Sequence, residues 1–167
     1  MFLPDYMFDT VYDVPKELFT EHGIKYLLSD IDNTLVPYET EKPTEENLKW
    51  FKLLSDMGIK IFFVSNNNSD RIDKYNTDLG FKYIARAGKP KINKYKRLLA
   101  ENGIDLKQTA VIGDQIFTDI VAGKRLGCVC ILVKPINDKK SLFFRFKRAC
   151  EKPLINRFLR KQEKSQE

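Results

Sequence analysis

Histidine is almost missing from this chain: His22 stands alone among 167 residues. A Ser-His-Asp arrangement is therefore out of reach, and no Gly-x-Ser-x-Gly elbow occurs. Cysteine is scarce too. Cys128, Cys130 and Cys150 make an odd set without zinc-site spacing, and Cys128 and Cys130 alternate inside an apolar run as small strand residues do. That usage fits a reduced, cytoplasmic chain. No apolar run approaches the about 18 residues of a spanning helix. The start, Met1-Phe2-Leu3-Pro4-Asp5-Tyr6, lacks the basic-then-apolar order of a secretory leader. There is no Gly-x-Gly-x-x-Gly. The Gly88-Lys89 pair is not a phosphate-cradling P-loop, since Tyr83 stands where its first glycine belongs.

What is present is a compact, mostly neutral body with a basic end. A hydrophobic fraction of 43% with 12% aromatics argues against disorder, and the length suits one domain. The net charge of +6 is uneven. Residues 139–161 hold nine Lys or Arg (Lys139, Lys140, Arg145, Lys147, Arg148, Lys152, Arg157, Arg160, Lys161) against Glu151 alone, which leaves residues 1–138 near neutral. Residues 1–138 are expected to form the core with an N-terminal arm. Residues 139–167 are expected to form a basic amphipathic segment, within that domain or peripheral to it.

Along the body, apolar runs at strand length alternate with helical periodicity, each helix closed by a glycine. Residues 1–24 read as an arm with one short helix ended by Gly23, His22 being a surface position at its end. Strands are expected from Tyr26, over Ile59–Val64, Phe81–Arg86, Thr109–Ile112 and Cys128–Val133. Helices are expected from Thr44 toward Gly58, over Ser69–Leu79, 91–102 and 116–126. That alternation predicts an α/β fold of three layers, Rossmann-like, with a central parallel sheet of about five strands.

Ligands in such sheets bind outside the carboxyl ends of the strands. The unusual polar residues all follow strands: Asp30 and Asp32 the first, Ser65 and Asn66 the second, Lys89 the third, Asp114 and Asp119 the fourth. Singly each has an ordinary reading. Asp32 or Asn33 could cap a helix, Asp114 and Asp119 could be helix N-terminal acids, and Lys89 could be a solvated loop lysine. Together they place four carboxylates, a hydroxyl with neighbouring amides and a lysine on one rim. Oxygen ligands without His or Cys suit Mg²⁺. A lysine and a hydroxyl suit phosphoryl oxygens, and an aspartate can be a covalent nucleophile. If Asp30 and Asp32 kept strand geometry they would share a face, about 6–7 Å apart.

Asp30-Ile31-Asp32-Asn33-Thr34, Ser65-Asn66, Lys89-Pro90 and Gly113-Asp114-Gln115 with Thr118-Asp119 resemble, in order and spacing, the four motifs of the haloacid dehalogenase (HAD) superfamily. The arm Leu3-Pro4-Asp5, Val11-Tyr12-Asp13-Val14-Pro15, Gly23-Ile24-Lys25 looks like the small YqeG-type HAD IIIA phosphatases, akin to phosphatidylglycerophosphate phosphatases. The resemblance implies Asp30 as nucleophile and Mg²⁺ ligand. It implies Asp32 as general acid/base with its carbonyl on the metal. Ser65 and the Asn66 amide would hold the phosphoryl group, Lys89 would offset charge, and Asp114 and Asp119 would serve the metal. Thr34 would shape the turn.

One departure concerns the cap domain that HAD enzymes for small metabolites carry. Here the chain between Thr34 and Ser65, and between Asn66 and Lys89, holds only a helix and a strand of the core each. The expected cleft is uncapped, open to a bulky substrate such as a phospholipid headgroup, or lidded by a partner subunit. The tail, with Leu142, Phe143, Phe146 and Cys150 on one helical face and Leu154, Ile155, Phe158 and Leu159 after Pro153, could pack on the sheet. It could instead meet an anionic membrane, or nucleic acid. The expected activity is Mg²⁺-dependent phosphomonoester hydrolysis through an aspartyl-phosphate. The alternatives are a phosphotransferase, or a scaffold binding an anionic partner through the basic segment.

Overall fold

The computed structural model describes residues 2–137 and 142–163, apart from the side chains of 142–148 and 162–163. Six parallel strands form one sheet: β1 (Tyr6–Phe8), β2 (Tyr26–Ser29), β3 (Lys60–Val64), β4 (Lys82–Ile84), β5 (Thr109–Gly113) and β6 (Val129–Val133), in the order β1-β6-β5-β2-β3-β4. The helices are α1 (Lys16–Glu21), α2 (Glu45–Asp56), α3 (Ser69–Asn76), α4 (Asn93–Glu101), α5 (Val121–Leu126) and α6 (Leu142–Glu163).

The chain leaves β2 outward through β3 and β4, then returns to the other side of β2 as β5. Strand order therefore reverses between β2 and β5, which pair over Tyr26–Ser29 and Thr109–Ile112. Their carboxyl ends are the topological switch point.

Side-chain alternation along the strands divides the core into two layers. Leu27, Phe63 and Ile112 face Phe19, Trp50, Phe51, Leu54, Ile72 and Tyr75. Leu28, Val64 and Val111 face Tyr95, Leu98, Leu99, Ala122 and Leu126. Each fully buried side chain of this size stabilises by about 1.5–3 kcal/mol, so both faces must be covered. On the first face, the tilted rings of Phe51, Phe63, Tyr75 and Phe81 interlock at centroid separations of 5.4–6.0 Å. Asn47 of α2, fully buried, caps this layer by donating to Tyr12 Oη and the Leu35 carbonyl while accepting from Tyr75 Oη. It ties the arm, the loop after β2 and α3 together.

Three expectations need correction. The sheet has six strands, because Tyr6–Phe8 of the arm pairs with Ile131–Val133. Asp5 secures this edge, its amide donating to the Cys130 carbonyl and its carboxylate accepting from the Cys130 amide. Three residues are too short to show a strand period. Second, the stretch 116–126 is not one α-helix. Ile116–Ile120 is a wide π-helical turn before α5. Third, α6 runs unbroken through Pro153, and its buried face differs from the one expected. Cys150 and Leu159, expected on the apolar face, are exposed, and Glu151, expected off it, is buried; Phe158 is buried as expected. Leu154 and Ile155 pack with Met7 against Ile116, Ile120, Cys130 and Leu132, so α6 covers β6 and β1 on the α5 face. The expected placement of Leu142, Phe143 and Phe146 lies outside the described residues, as do Lys139, Lys140, and the side chains of Arg145, Lys147 and Arg148.

The remaining elements match within a few residues. No cap is inserted: α2 and β3 fill the chain between Thr34 and Ser65, α3 and β4 that between Asn66 and Lys89. Cys128 and Cys130 are buried, and burial pushes both thiols up to about 12, which leaves them inert. His22 caps α1, with Nε2 2.6 Å from Tyr6 Oη.

Candidate active site

At the carboxyl end of β2 the chain stops pairing as a strand. The Asp30 amide still donates to the Ile112 carbonyl at 3.0 Å, and Ser29 Oγ donates to the Asp30 carbonyl at 2.8 Å. Asn33 then takes a left-handed conformation (φ 63°), and the Leu35 and Val36 amides turn back onto the Ile31 carbonyl. Asn tolerates that region through its short polar side chain. Asp30 and Asp32 therefore lie beyond the end of β2, outside regular strand pairing. Each has its own surroundings.

Asp30 is 7% exposed and faces Lys89, which is delivered by the loop after β4. The Lys89 ammonium donates to Asp30 Oδ1 at 2.7 Å, to Asp119 Oδ1 at 2.6 Å and to the Val64 carbonyl at 2.9 Å. Those three bonds use all its protons. Asn66 fixes the lysine's backbone, accepting from its amide at 2.8 Å and donating to its carbonyl at 3.4 Å. Burial alone would discharge Lys89, yet Asp119 and Asp30 hold its ammonium well above the ordinary lysine range.

Asp114 follows β5 directly and accepts from Thr34 Oγ1 at 3.4 Å. Asp119 is carried by the π-helical turn, where its Oδ2 accepts from the Gln115 amide at 3.2 Å. That carboxylate lies against the β5 backbone. A methyl at position 113 would stand 2.3 Å from Asp119 Cγ, so only glycine fits there. Asp30, Asp114 and Asp119, all buried, bring one carboxylate oxygen each within 4.8 Å of one another. Of these three carboxyl groups, Asp30 and Asp119 are bonded to the Lys89 ammonium. Burial first, and then Asp119 and Asp114, push the Asp30 carboxyl up to about 8 despite the opposing pull of Lys89. An all-oxygen set this compact fits a hard divalent cation.

Asp32 stands outside that cluster. Its Oδ2 accepts from Asn67 Nδ2 at 3.2 Å and its Oδ1 from Arg71 Nε at 3.2 Å. Ser65 follows the end of β3 and is buried, its Oγ accepting from the Asn67 amide at 3.0 Å.

The "Probable phosphatase YqeG" of Bacillus subtilis is 32% identical to this chain over 160 residues, 96% of this chain and 93% of that protein. The chain belongs to the haloacid dehalogenase superfamily, among its YqeG-like phosphatases. A HAD-hydrolase-like family model matches residues 86–140. The "Phosphatidylglycerophosphate phosphatase 1" of Arabidopsis thaliana is 26% identical over 159 residues, 87% of this chain, which spans less than half (44%) of that protein. Among solved structures, the cobalt-bound deoxy-D-mannose-octulosonate 8-phosphate phosphatase of Haemophilus influenzae shares the fold, with a TM-score of 0.50 at 20% identity, over 68% of this chain and 80% of that one.

In this HAD phosphatase the strand-end motifs converge as the switch-point rule requires. Asp30, Lys89, Asp114 and Asp119 meet in one buried cluster, and Asn66 is tied to Lys89. Asp32 is near in sequence but separately held. Sequence reasoning missed Arg71, Asn67 and the fit between Gly113 and Asp119. Arg71 lies in the first turn of a helix whose buried positions, Ile72 and Tyr75, are one and four residues on. That pattern puts Arg71 at the border of the buried face, but nothing local says it reaches back to Asp32.

Proposed function

We propose that this phosphatase is a Mg²⁺-dependent phosphomonoester hydrolase acting through an aspartyl-phosphate on Asp30. The observation that carries this reading is the Lys89 ammonium shared between Asp30 and Asp119, with Asp114 alongside. Asp30, Asp114 and Asp119, with the Asp32 main-chain carbonyl, would hold the ion. When bound, the ion supplies positive charge against the phosphoryl oxygens. Ser65 Oγ and the Asn66 amide bind the phosphoryl group, and Lys89 offsets the charge gathering on it.

An Asp30 carboxylate oxygen attacks phosphorus, forming an O–P bond as the bond to the ester oxygen breaks. Asp32 gives its proton to the departing alkoxide. Water then attacks the same phosphorus, losing its proton to Asp32. The bond from phosphorus to Asp30 breaks, which releases inorganic phosphate and restores both residues.

The uncapped rim favours a phosphate on a bulky or lipid-linked group, such as phosphatidylglycerophosphate, and the Arabidopsis relative's name points the same way. No described helix is long and apolar enough to cross a membrane. Membrane contact would be peripheral, in a cytoplasmic protein. Because Phe158, Leu154 and Ile155 are turned to the core, it would rest on the exposed side of α6, where Lys152, Arg157, Arg160 and Lys161 stand, and on charge rather than insertion. Nucleic acid is the less favoured anionic partner.

Phosphate release with Mg²⁺ from phosphatidylglycerophosphate, phosphosugars, nucleotides and phosphopeptides, with Asp30→Asn as control, tests the reading. Turnover abolished in the variant supports it. No turnover of any phosphomonoester by the native chain would leave a scaffold. Binding to anionic vesicles that weakens steeply with salt supports the α6 contact, and indifference to such vesicles removes it.

A further inference from the structure

Among the described residues, the only buried side-chain nitrogens or oxygens without a hydrogen-bond partner are the two terminal nitrogens of Arg71. The side chain is 11% exposed. Its Nε donates to Asp32 Oδ1, and Nη2 comes within 3.0 Å of the same oxygen without a hydrogen bond in line. A guanidinium offers five N–H groups; Nε and the Nη2 ion pair engage Asp32, and neither terminal nitrogen completes a hydrogen bond to the protein. Donors buried without acceptors are costly and uncommon in folded proteins.

Neither structural role accounts for that cost. Arg71 covers the Tyr75 ring at 5.8 Å, but an apolar side chain would cover it without burying donors. It also steadies Asp32, yet Asn67 already holds the other oxygen of that carboxylate. What only a guanidinium supplies is a planar fork that grips an oxyanion through two parallel hydrogen bonds. The fork meets Asp32, and one residue, Ile31, separates Asp32 from Asp30. Because Asp32, which Arg71 grips, is the residue proposed to protonate the leaving group, an anion held by Arg71 would lie on the leaving-group side of a phosphoryl group on Asp30, a short linker away. Among the described residues, no cap is inserted between Thr34 and Ser65 or between Asn66 and Lys89 to read the substrate instead.

We propose that Arg71 is a specificity-determining residue, its guanidinium receiving a second phosphate, as monoester or diester, that the substrate carries a short linker away from the phosphoryl group transferred to Asp30. This rests on the phosphatase reading above. Because the terminal nitrogens are covered, the guanidinium turns on its flexible stem from Asp32 toward the substrate, and Asn67 keeps Asp32 in place meanwhile. An ester with a single phosphate leaves Arg71 on Asp32 and gains nothing from it.

The test measures phosphate release by the full chain with Mg²⁺ on three substrates. They are p-nitrophenyl phosphate, the soluble deacylated headgroup of phosphatidylglycerophosphate, and phosphatidylglycerophosphate itself in phosphatidylcholine vesicles. With Arg71→Gln, kcat/KM is expected to fall about 10- to 100-fold further on both two-phosphate substrates than on the aryl phosphate, mostly through KM. Arg71→Lys, which keeps charge but loses the fork, should recover part of the difference. It gives the same comparison should the glutamine variant fail to fold. An equal loss on all three substrates would show that Arg71 only supports Asp32, and would overturn the inference. So would a loss confined to vesicles, since the surface and not the second phosphate would then be recognised. A native chain that hydrolyses the aryl phosphate without preferring either two-phosphate substrate overturns this inference alone. One that hydrolyses none overturns the phosphatase reading with it.

Discussion

Gly113→Ala is the sharpest probe of how the site is built. The added methyl would stand 2.3 Å from Asp119 Cγ, 2.5 Å from its Cβ and 2.6 Å from its Oδ2. Ordinary carbon contacts lie at about 3.5–4.0 Å, so Asp119 must retreat by roughly 1 Å or the end of β5 must shift. Asp119 Oδ1 is 2.6 Å from Lys89, and the same residue belongs to the cluster proposed to hold the ion, so either motion disturbs charge compensation at Asp30. A displacement of about 1 Å at such a site costs on the order of 100-fold in rate. Overpacking costs about 1–3 kcal/mol, less the about 0.4–1 kcal/mol that removing a glycine's freedom returns. The expected thermal loss is then about 2–4 °C per kcal/mol remaining. Hydrolysis of p-nitrophenyl phosphate and thermal melts with and without Mg²⁺ read both effects. Gly123→Ala is the control, because its methyl would meet Cys130 Sγ at 2.6 Å, in the α5–sheet contact away from the carboxylates. It should lower the melting temperature while the folded fraction keeps its activity. A Gly113→Ala protein within threefold of native kcat/KM would refute the claim that this glycine exists to admit Asp119.

Other perturbations test the charge balance and the tail. Lys89→Met removes the ammonium shared by Asp30 and Asp119, and should destabilise the metal-free protein by about 3–5 kcal/mol at neutral pH. That deficit shrinks as pH falls toward about 4, where the carboxyls are protonated in the unfolded chain as well, a trend that denaturant melts across pH would show. In the native chain, Asp30 is raised from 3.8 to about 8. A carboxyl raised on folding costs nothing below its unfolded value, and costs progressively more up to the folded one. Metal-free stability should therefore decline between about pH 4 and 8, and the gap between melting temperatures in Mg²⁺ and in chelator should widen over the same range. A gap independent of pH would contradict the burial argument. Glu151 of α6 is 1% exposed and accepts from the Phe117 amide at 3.4 Å, in the turn that carries Asp119. Glu151→Ala should cost about 1–3 kcal/mol in denaturant unfolding by leaving that amide unpaired. An unchanged midpoint would mean that the tail helix is not anchored there.

Much of this molecule follows from local pattern. Leu27-Leu28, Ile61–Val64, Val111-Ile112 and Ile131–Val133 are apolar enough to be buried on both faces, and each glycine-closed helix between them returns the chain in the same direction. Parallel strands bring their carboxyl ends to one edge, so the residues that follow them, Asp30, Ser65, Lys89 and Asp114, have to gather there. Fold class, the position of the site and most of its inventory were legible for that reason. What the sequence could not decide depends on partners far along the chain. Tyr6–Phe8 becomes a strand only because β6 offers an open edge. Glu151 is buried while Cys150 is not, and its carboxylate meets the Phe117 amide of a distant turn. Lys89 bridges Asp30 and Asp119, Gly113 makes room for Asp119, and Arg71 bends back to Asp32. Period and composition report which face of an element is apolar. Distances between side chains from separate loops are set only when the sheet is assembled and its two layers have closed over it.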